Sequence, residues 1–182
     1  VVDARDTYTG SHSQSVAVLV EGIGQALGLD DQTVAQLRLA GLLHDLGKIA
    51  VPDRILQKPG RLDPAEYDVL RQHSQIGYEL LHGLDVDPVD RWILHHHEHW
   101  DGSGYPRGLE GDEIPIGSRI ILVADAFDAI TTERCYRAAS PVAEALEELR
   151  RFSGIQFDPT VVDALERSLD IALVERPALQ VA

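Results

Sequence analysis

The chain has 182 residues, 44% apolar and 25% charged, with 15 Gly and 9 Pro, the size and composition of one folded domain, neither low-complexity nor collagenous. Its formal net charge of -14, from 16 Lys and Arg against 30 Asp and Glu, excludes a non-specific grip on polyanions and argues against a DNA-binding face, so a phosphate-bearing ligand needs locally supplied cations, for which bound metal is the economical source. The single Cys excludes both an internal disulfide framework and a thiolate metal cluster.

The chain contains no Met and begins at Val1, which leads to the expectation that residues 1–182 are one domain of a longer sensory or response-regulator protein. No apolar run approaches the roughly 18 residues a membrane span needs, and the first residues lack the basic and apolar regions of a signal peptide. A cytoplasmic domain without membrane insertion is expected.

Helical periodicity dominates, and seven helices are predicted in an all-α fold. The first spans about 11–27, with Val16, Leu19, Val20, Ile23 and Leu27 on one stripe and Gly28 as its stop. The second spans about 31–46 and carries Val34, Leu37, Ala40 and Leu43. Four later starts share one pattern, Asp63-Pro64, Asp87-Pro88, Ser140-Pro141 and Asp158-Pro159, each placing a capping side chain before a Pro whose missing N–H costs nothing at the first helical position. Glu66, three residues after Asp63, completes a near capping box. Another helix covers about 117–132. Two stretches, 51–62 and 101–115, read as irregular, and the second is rich in Gly; long Gly-rich loops inside a helical domain commonly carry function.

All 8 His lie between His12 and His99. His44 and Asp45 end a helix that is otherwise apolar, and Asp125 interrupts the apolar run 120–127, so both carboxylates need partners at the core boundary. Taken alone, His44 and Asp45 read as a buried hydrogen-bonded pair. His12, His73, His96 and His97 change that reading, because five His and two Asp from five helices form a sulfur-free ligand set for hard or borderline metals. Seven donors exceed one tetrahedral ion and suit two octahedral ions sharing a carboxylate, with positions left for substrate. The local charge then becomes positive inside an acidic protein.

His44, Asp45, Gly47 and Lys48, followed by Gly104, Tyr105 and Pro106, resemble the HD-GYP family of cyclic di-GMP phosphodiesterases within the HD metal-dependent phosphohydrolases. The resemblance runs through Tyr8–Ser13, His44–Leu56, Lys58–Gly60, His96–Leu109, Arg119–Thr131, Tyr136-Arg137 and Phe157–Pro159. It implies a helical bundle in which His12, His44, Asp45, His73, His96, His97 and Asp125 hold two divalent ions, Fe or Mn with Zn as a third option, with Asp45 shared. It implies that Lys48 meets the scissile phosphate and that Tyr105, Arg134 and Arg137 contact nucleotide. The implied reaction is hydrolysis of cyclic di-GMP to linear pGpG and onward to GMP. The implied partners are an upstream regulatory domain and proteins docking on the Gly-Tyr-Pro loop.

Several rival readings stand beside this one: cyclic GMP-AMP as substrate, a catalytically weak receptor or interaction module, an HD-scaffold oxygenase, and a zinc site at His95, Glu98 and His99, which spell H-x-x-E-H. His95 and His99 read as surface or supporting residues, and His82 as a favourable charge near a helix C-terminus. Asp128 either orients a ligand His or faces solvent. Two departures from the family pattern are Tyr8, where some members carry a Glu that helps bind a third ion, and Cys135, where a Pro is common.

Overall fold

The computed structural model describes residues 9–132 and 139–175. Tyr8, Arg134, Cys135 and Arg137 lie outside the described residues. Among the described residues there are eight α-helices and two short 310 segments: α1 Thr9–Ala26, α2 Asp31–Leu43, α3 Asp53–Leu56, α4 Pro64–Leu81, α5 Val89–Leu94, α6 Ile116–Thr131, α7 Val142–Arg151 and α8 Pro159–Glu175, with 310 turns at Leu46–Ala50 and Gly111–Glu113. No strand is present among them, only isolated bridges pairing Asp101 with Glu110 and Ser153 with Phe157. The all-α expectation holds, and no described helix is long and apolar enough to cross a membrane.

The helix α6 occupies the centre because its sequence is apolar on nearly every side. Ile120, Ile121, Val123 and Ala124 are fully buried, and a helix apolar all round belongs inside. Around it, α1 contributes Val16, Val20 and Ile23, α2 contributes Leu37 and Ala40, and α8 contributes Val161, Ala164 and Leu165. Ser118 of α6 donates to the Trp92 carbonyl at 2.9 Å, fastening α5 to the same core.

The capping pattern succeeds in full at Asp63, whose carboxylate accepts from the Glu66 N–H at 2.9 Å while Glu66 accepts from the Asp63 N–H at 2.9 Å. Asp158 likewise accepts from the Thr160 N–H at 2.8 Å. At Asp87 and Ser140 the helix begins one residue later, with Pro88 and Pro141 in the N-cap position. Asp87 instead pairs with Arg91, whose Nε lies 2.8 Å away.

The region after α2 departs from expectation. The helix stops at Leu43, and the chain tightens through Asp45 (φ -96, ψ 7) into the 310 turn Leu46–Ala50. In that tighter winding residues three apart eclipse one another, which sets Lys48 directly over Asp45. The stretch 51–62, expected to be irregular, contains the single turn α3, and α4 packs against both α3 and the 310 turn.

Candidate metal centre

His12 comes from α1, His44 from the end of α2, Asp45 from the turn that follows, His73 from α4, His96 and His97 from the turn after α5, and Asp125 from α6. The fold brings all seven together as two groups. His12, His44 and Asp125 place ligand atoms within 4.8 Å of one another, and so do His73, His96 and His97. Asp45 stands between them: its Oδ2 lies 3.4 Å from His44 Nε2 and its Oδ1 lies 3.7 Å from His73 Nε2. One carboxylate thus offers one oxygen to each group.

The ring orientations are set by the backbone. Nδ1 of His44, His73 and His96 lies 2.8, 2.7 and 2.6 Å from the carbonyl oxygens of Gly41, Leu70 and Ile93, each three residues earlier. A carbonyl can only accept, so Nδ1 carries the hydrogen and Nε2 keeps its lone pair. The lone pairs of His73 and His96 converge, their Nε2 atoms 3.4 Å apart, and His97 Nε2 lies 3.2 Å from His73 Nε2. His44 Nε2 is buried and makes no hydrogen bond. Orphaned and mutually repelling lone pairs in a buried site are what a cation would satisfy, and imidazole with carboxylate suits a first-row divalent metal. The donor set fits such an ion in each group.

The two halves differ in charge. Burial opposes a charge on His12, but hydrogen bonds to Asp125 and Asp128 outweigh it and raise its pKa to about 9. His44 moves upward too, burial being overcome by Asp45. In the other half the nearby carboxylates do not offset burial. Burial and its imidazole neighbours push His96 well below the ordinary range, His97 falls to about 3 through burial and His73, and His73 falls through burial. Asp45 and Asp125 stay ionised despite burial, Asp45 held chiefly by Lys48 and His44 and Asp125 by His12 and His44.

Asp128 is buried, and its Oδ2 lies 2.6 Å from His12 Nδ1. It therefore orients a member of the cluster instead of facing solvent. Lys48 Nζ lies 2.6 Å from Asp45 Oδ2, with the side chain 29% exposed at the rim of the site.

Tyr105 is held against the centre. Its N–H donates to the His97 carbonyl at 3.1 Å, and its ring stacks on the His97 ring at 4.9 Å between centroids. Burial pushes its phenol above the ordinary range. Gly104 permits the approach: a Cβ there would come within 2.2 Å of the His99 nitrogen and 2.5 Å of the His97 carbonyl oxygen.

Two residues of this region escaped the sequence reading. Arg71 of α4 sets its guanidinium 4.4 Å from the Tyr105 ring centre, and nothing in the sequence distinguishes it from a solvated helix charge. Glu98 had a signal, but a misleading one. Its fully buried carboxylate accepts the N–H groups of Arg107, Gly108 and Leu109 at 2.7, 2.9 and 3.1 Å. It clamps the loop that carries Tyr105, and the ligand groups among the described residues include neither Glu98 nor His95 nor His99. His95 Nδ1 sits 3.4 Å from Glu98, His99 Nδ1 sits 3.0 Å from Ser103 Oγ, and exposed His82 pairs with Asp90 at 3.2 Å.

A helical domain that gathers five His and one further Asp around the central Asp45 carboxylate is a metal-centre scaffold. The chain belongs to the HD domain family, whose family model matches residues 1–161. It is 43% identical over 164 residues to a cyclic di-GMP phosphodiesterase of Thermotoga maritima, covering 88% of this chain and 44% of that protein. It is 42% identical over 172 residues to 3'3'-cGAMP-specific phosphodiesterase 3 of Vibrio cholerae, covering 94% of this chain and 37% of that protein. The chain thus spans less than half the length of these relatives. In fold it is similar to Bd1817, an HDG"Y"P protein of Bdellovibrio bacteriovorus, with a TM-score of 0.72 and 23% identity over 91% of this chain and 53% of that one.

Proposed function

We propose that this domain hydrolyses a phosphodiester bond of a cyclic dinucleotide, cyclic di-GMP first, opening the ring to linear pGpG. The observation that carries the reading is Asp45, with one oxygen turned to each of two three-ligand groups and Lys48 beside it at the rim. His12, His44 and Asp125 would hold one divalent ion and His73, His96 and His97 the other, with Asp45 shared between them. Fe, Mn and Zn all match this donor set. Two such ions, when bound, supply a nucleophile at neutral pH and offset the charge of the phosphate.

The chain's own residues do the rest. Lys48 exchanges its contact with Asp45 for a phosphoryl oxygen, so positive charge is already placed where negative charge develops. Asp128 keeps His12 in one tautomer, and the backbone carbonyls of Gly41, Leu70 and Ile93 do the same for His44, His73 and His96. Tyr105, carried on the loop that Glu98 clamps, bounds the site on the nucleotide side. Arg134 and Arg137 are assigned to nucleotide on the family pattern alone.

The similarity to a 3'3'-cGAMP-specific enzyme makes cyclic GMP-AMP the second substrate to test. The domain works in the cytoplasm under an upstream regulatory domain. The test is metal analysis of the purified protein coupled to chromatography of digests of both dinucleotides. Two ions per chain with pGpG as first product are expected; metal-loaded protein that cleaves neither dinucleotide refutes the proposal.

A further inference from the structure

A cyclic dinucleotide has two bases on opposite sides of its ring. With one phosphodiester at the metal centre, the second nucleoside must project past the rim, and it needs a place of its own. Beside Tyr105 lies an open cavity of about 330 Å³, between α4 and the Gly-Tyr-Pro loop, lined by Asp68, Arg71, Gln72, Gln75, Tyr105 and Arg107 among others. It shares Tyr105 with the metal centre, since that ring also stacks on His97.

We propose that this cavity is the subsite for the second nucleoside of the cyclic dinucleotide, with Arg71 stacking on the purine and the α4 side chains reading its edge. The inference rests on the phosphodiesterase reading above. Arg71 already presents its planar guanidinium to aromatic surface, 4.4 Å from the centre of Tyr105 and 5.8 Å from that of Tyr67. A purine offers the same surface, and Arg is the cation best suited to stack on it.

The edge readers follow from helical spacing. Asp68, Gln72 and Gln75 recur at intervals of four and three along α4, which puts them on the same side of the helix as Arg71. Gln75 donates to Glu79 at 2.9 Å, which turns its NH2 toward Glu79 and leaves its carbonyl oxygen as the acceptor. Asp68, 73% exposed and 4.0 Å from Arg71, can only accept when ionised. Acceptors suit the N1–H and N2–H2 donors of guanine, whereas adenine presents a ring acceptor where guanine has a donor. The cavity therefore favours guanine, and Gln72 and Gln75 decide how strongly.

The test uses the metal-loaded protein and three substrates: cyclic di-GMP, 3'3'-cGAMP and bis(p-nitrophenyl) phosphate, which has no base and reports the metal centre alone. Arg71→Ala should lose at least tenfold more kcat/KM on the cyclic dinucleotides than on bis(p-nitrophenyl) phosphate, with the loss carried by KM. Arg71→Lys keeps the charge without the planar fork and should fall between. Gln75→Ala should change the ratio of kcat/KM for cyclic di-GMP to that for 3'3'-cGAMP by threefold or more. Equal losses on all three substrates, or an unchanged KM in Arg71→Ala and Arg71→Lys, overturn the subsite. If Arg71→Ala is too unstable to assay, Arg71→Lys and Gln75→Ala decide the matter between them. Wild-type protein that cleaves bis(p-nitrophenyl) phosphate but no dinucleotide overturns the cyclic-dinucleotide reading of the proposed function instead, a separate outcome.

Discussion

Gly47 follows Asp45 by two residues and lies where the 310 turn meets α4. A Cβ at this position would stand 1.9 Å from the His73 carbonyl oxygen, 2.7 Å from the Gly77 nitrogen and 2.8 Å from the His73 carbonyl carbon. All three are backbone atoms, so no side-chain rotation relieves the overlap. Cβ contacts closer than 3.0 Å are essentially never tolerated, so Gly47→Ala must open the gap from 1.9 Å to at least 3.0 Å, a displacement of about 1.1 Å. That movement separates the turn holding Asp45 from the helix holding His73, whose facing atoms are 3.7 Å apart. Metal sites accept deviations of only ~0.2 Å in ligand distance, so the shift is roughly five times what a shared carboxylate can absorb. Overpacking of this kind costs about 1–3 kcal/mol or somewhat more, which for a domain of this size lowers Tm by roughly 2–12 °C. Elemental analysis and calorimetry on Gly47→Ala should therefore show fewer than two ions per chain together with a fall in Tm. Gly28→Ala is the control: its added Cβ meets nothing within 4 Å, although φ is +73 there, so it should cost about 1–2 kcal/mol and leave metal content alone. Two ions per chain and a Tm within about 2 °C of wild type in Gly47→Ala would refute the reasoning.

Asp45→Ala should abolish turnover and lower metal content, and His44→Ala should follow it, whereas His82→Ala should stay within a few-fold of wild type; equal losses in the two His variants would mean the ligand set is wrong. In Lys48→Ala the metal should remain while kcat falls by about 10² or more, as for one lost charge-stabilising group, and a variant that loses metal but regains full rate on reloading would make Lys48 structural. Glu98→Gln sets an NH2 against backbone donors and should raise KM for the dinucleotide with metal content kept; in a Tyr105→Ala background the same change should add little, and fully additive losses would show that Glu98 does not act through Tyr105. The pH dependence of metal-free protein follows from the shifted groups. His73, His96 and His97 have folded values below the ordinary 6.5, so the unfolded chain takes protons first and stability is lost as pH falls from 6.5 toward about 3. Asp45 and Asp125, held low, add to that loss below the ordinary 3.8. His12 has the opposite sign: its contribution is full below 6.5 and disappears as pH rises through about 9. Tm should peak near pH 6.5 and fall on either side, and a flat Tm from pH 7.5 to 5 would contradict the assignment.

The residues that were legible in the sequence are those whose burial carries a cost. An Asp in the apolar run of α6, or a His and Asp pair at the end of an apolar helix, is costly without partners, and that requirement points to the seven clustered side chains. Asp63 was legible for a related reason, because its cap and box partner lie three residues apart. At Asp87 and Ser140 the same local grammar slipped by one residue, since a side chain that can pair elsewhere, as Asp87 does with Arg91, leaves the cap position to Pro. Asp128 stayed ambiguous: three residues after Asp125, it shares a helix face with it, and only the approach of α1 decides that this face meets His12.

Arg71 and Glu98 mark where such reasoning ends. An Arg on a half-exposed helix face costs nothing wherever it points, and its contact with Tyr105 depends on a loop more than thirty residues later folding back over α4. Glu98 does carry a burial cost, but its offset comes from three backbone N–H groups, which every non-proline residue possesses, so no residue type announces the partner. The proposed metal ligands are expensive residues and can be read from a single chain, while the contacts proposed to choose among substrates are made by inexpensive ones. Substrate choice in this domain should accordingly drift through changes at positions such as Arg71, Gln72 and Gln75 that leave the metal centre, and the stability it depends on, untouched.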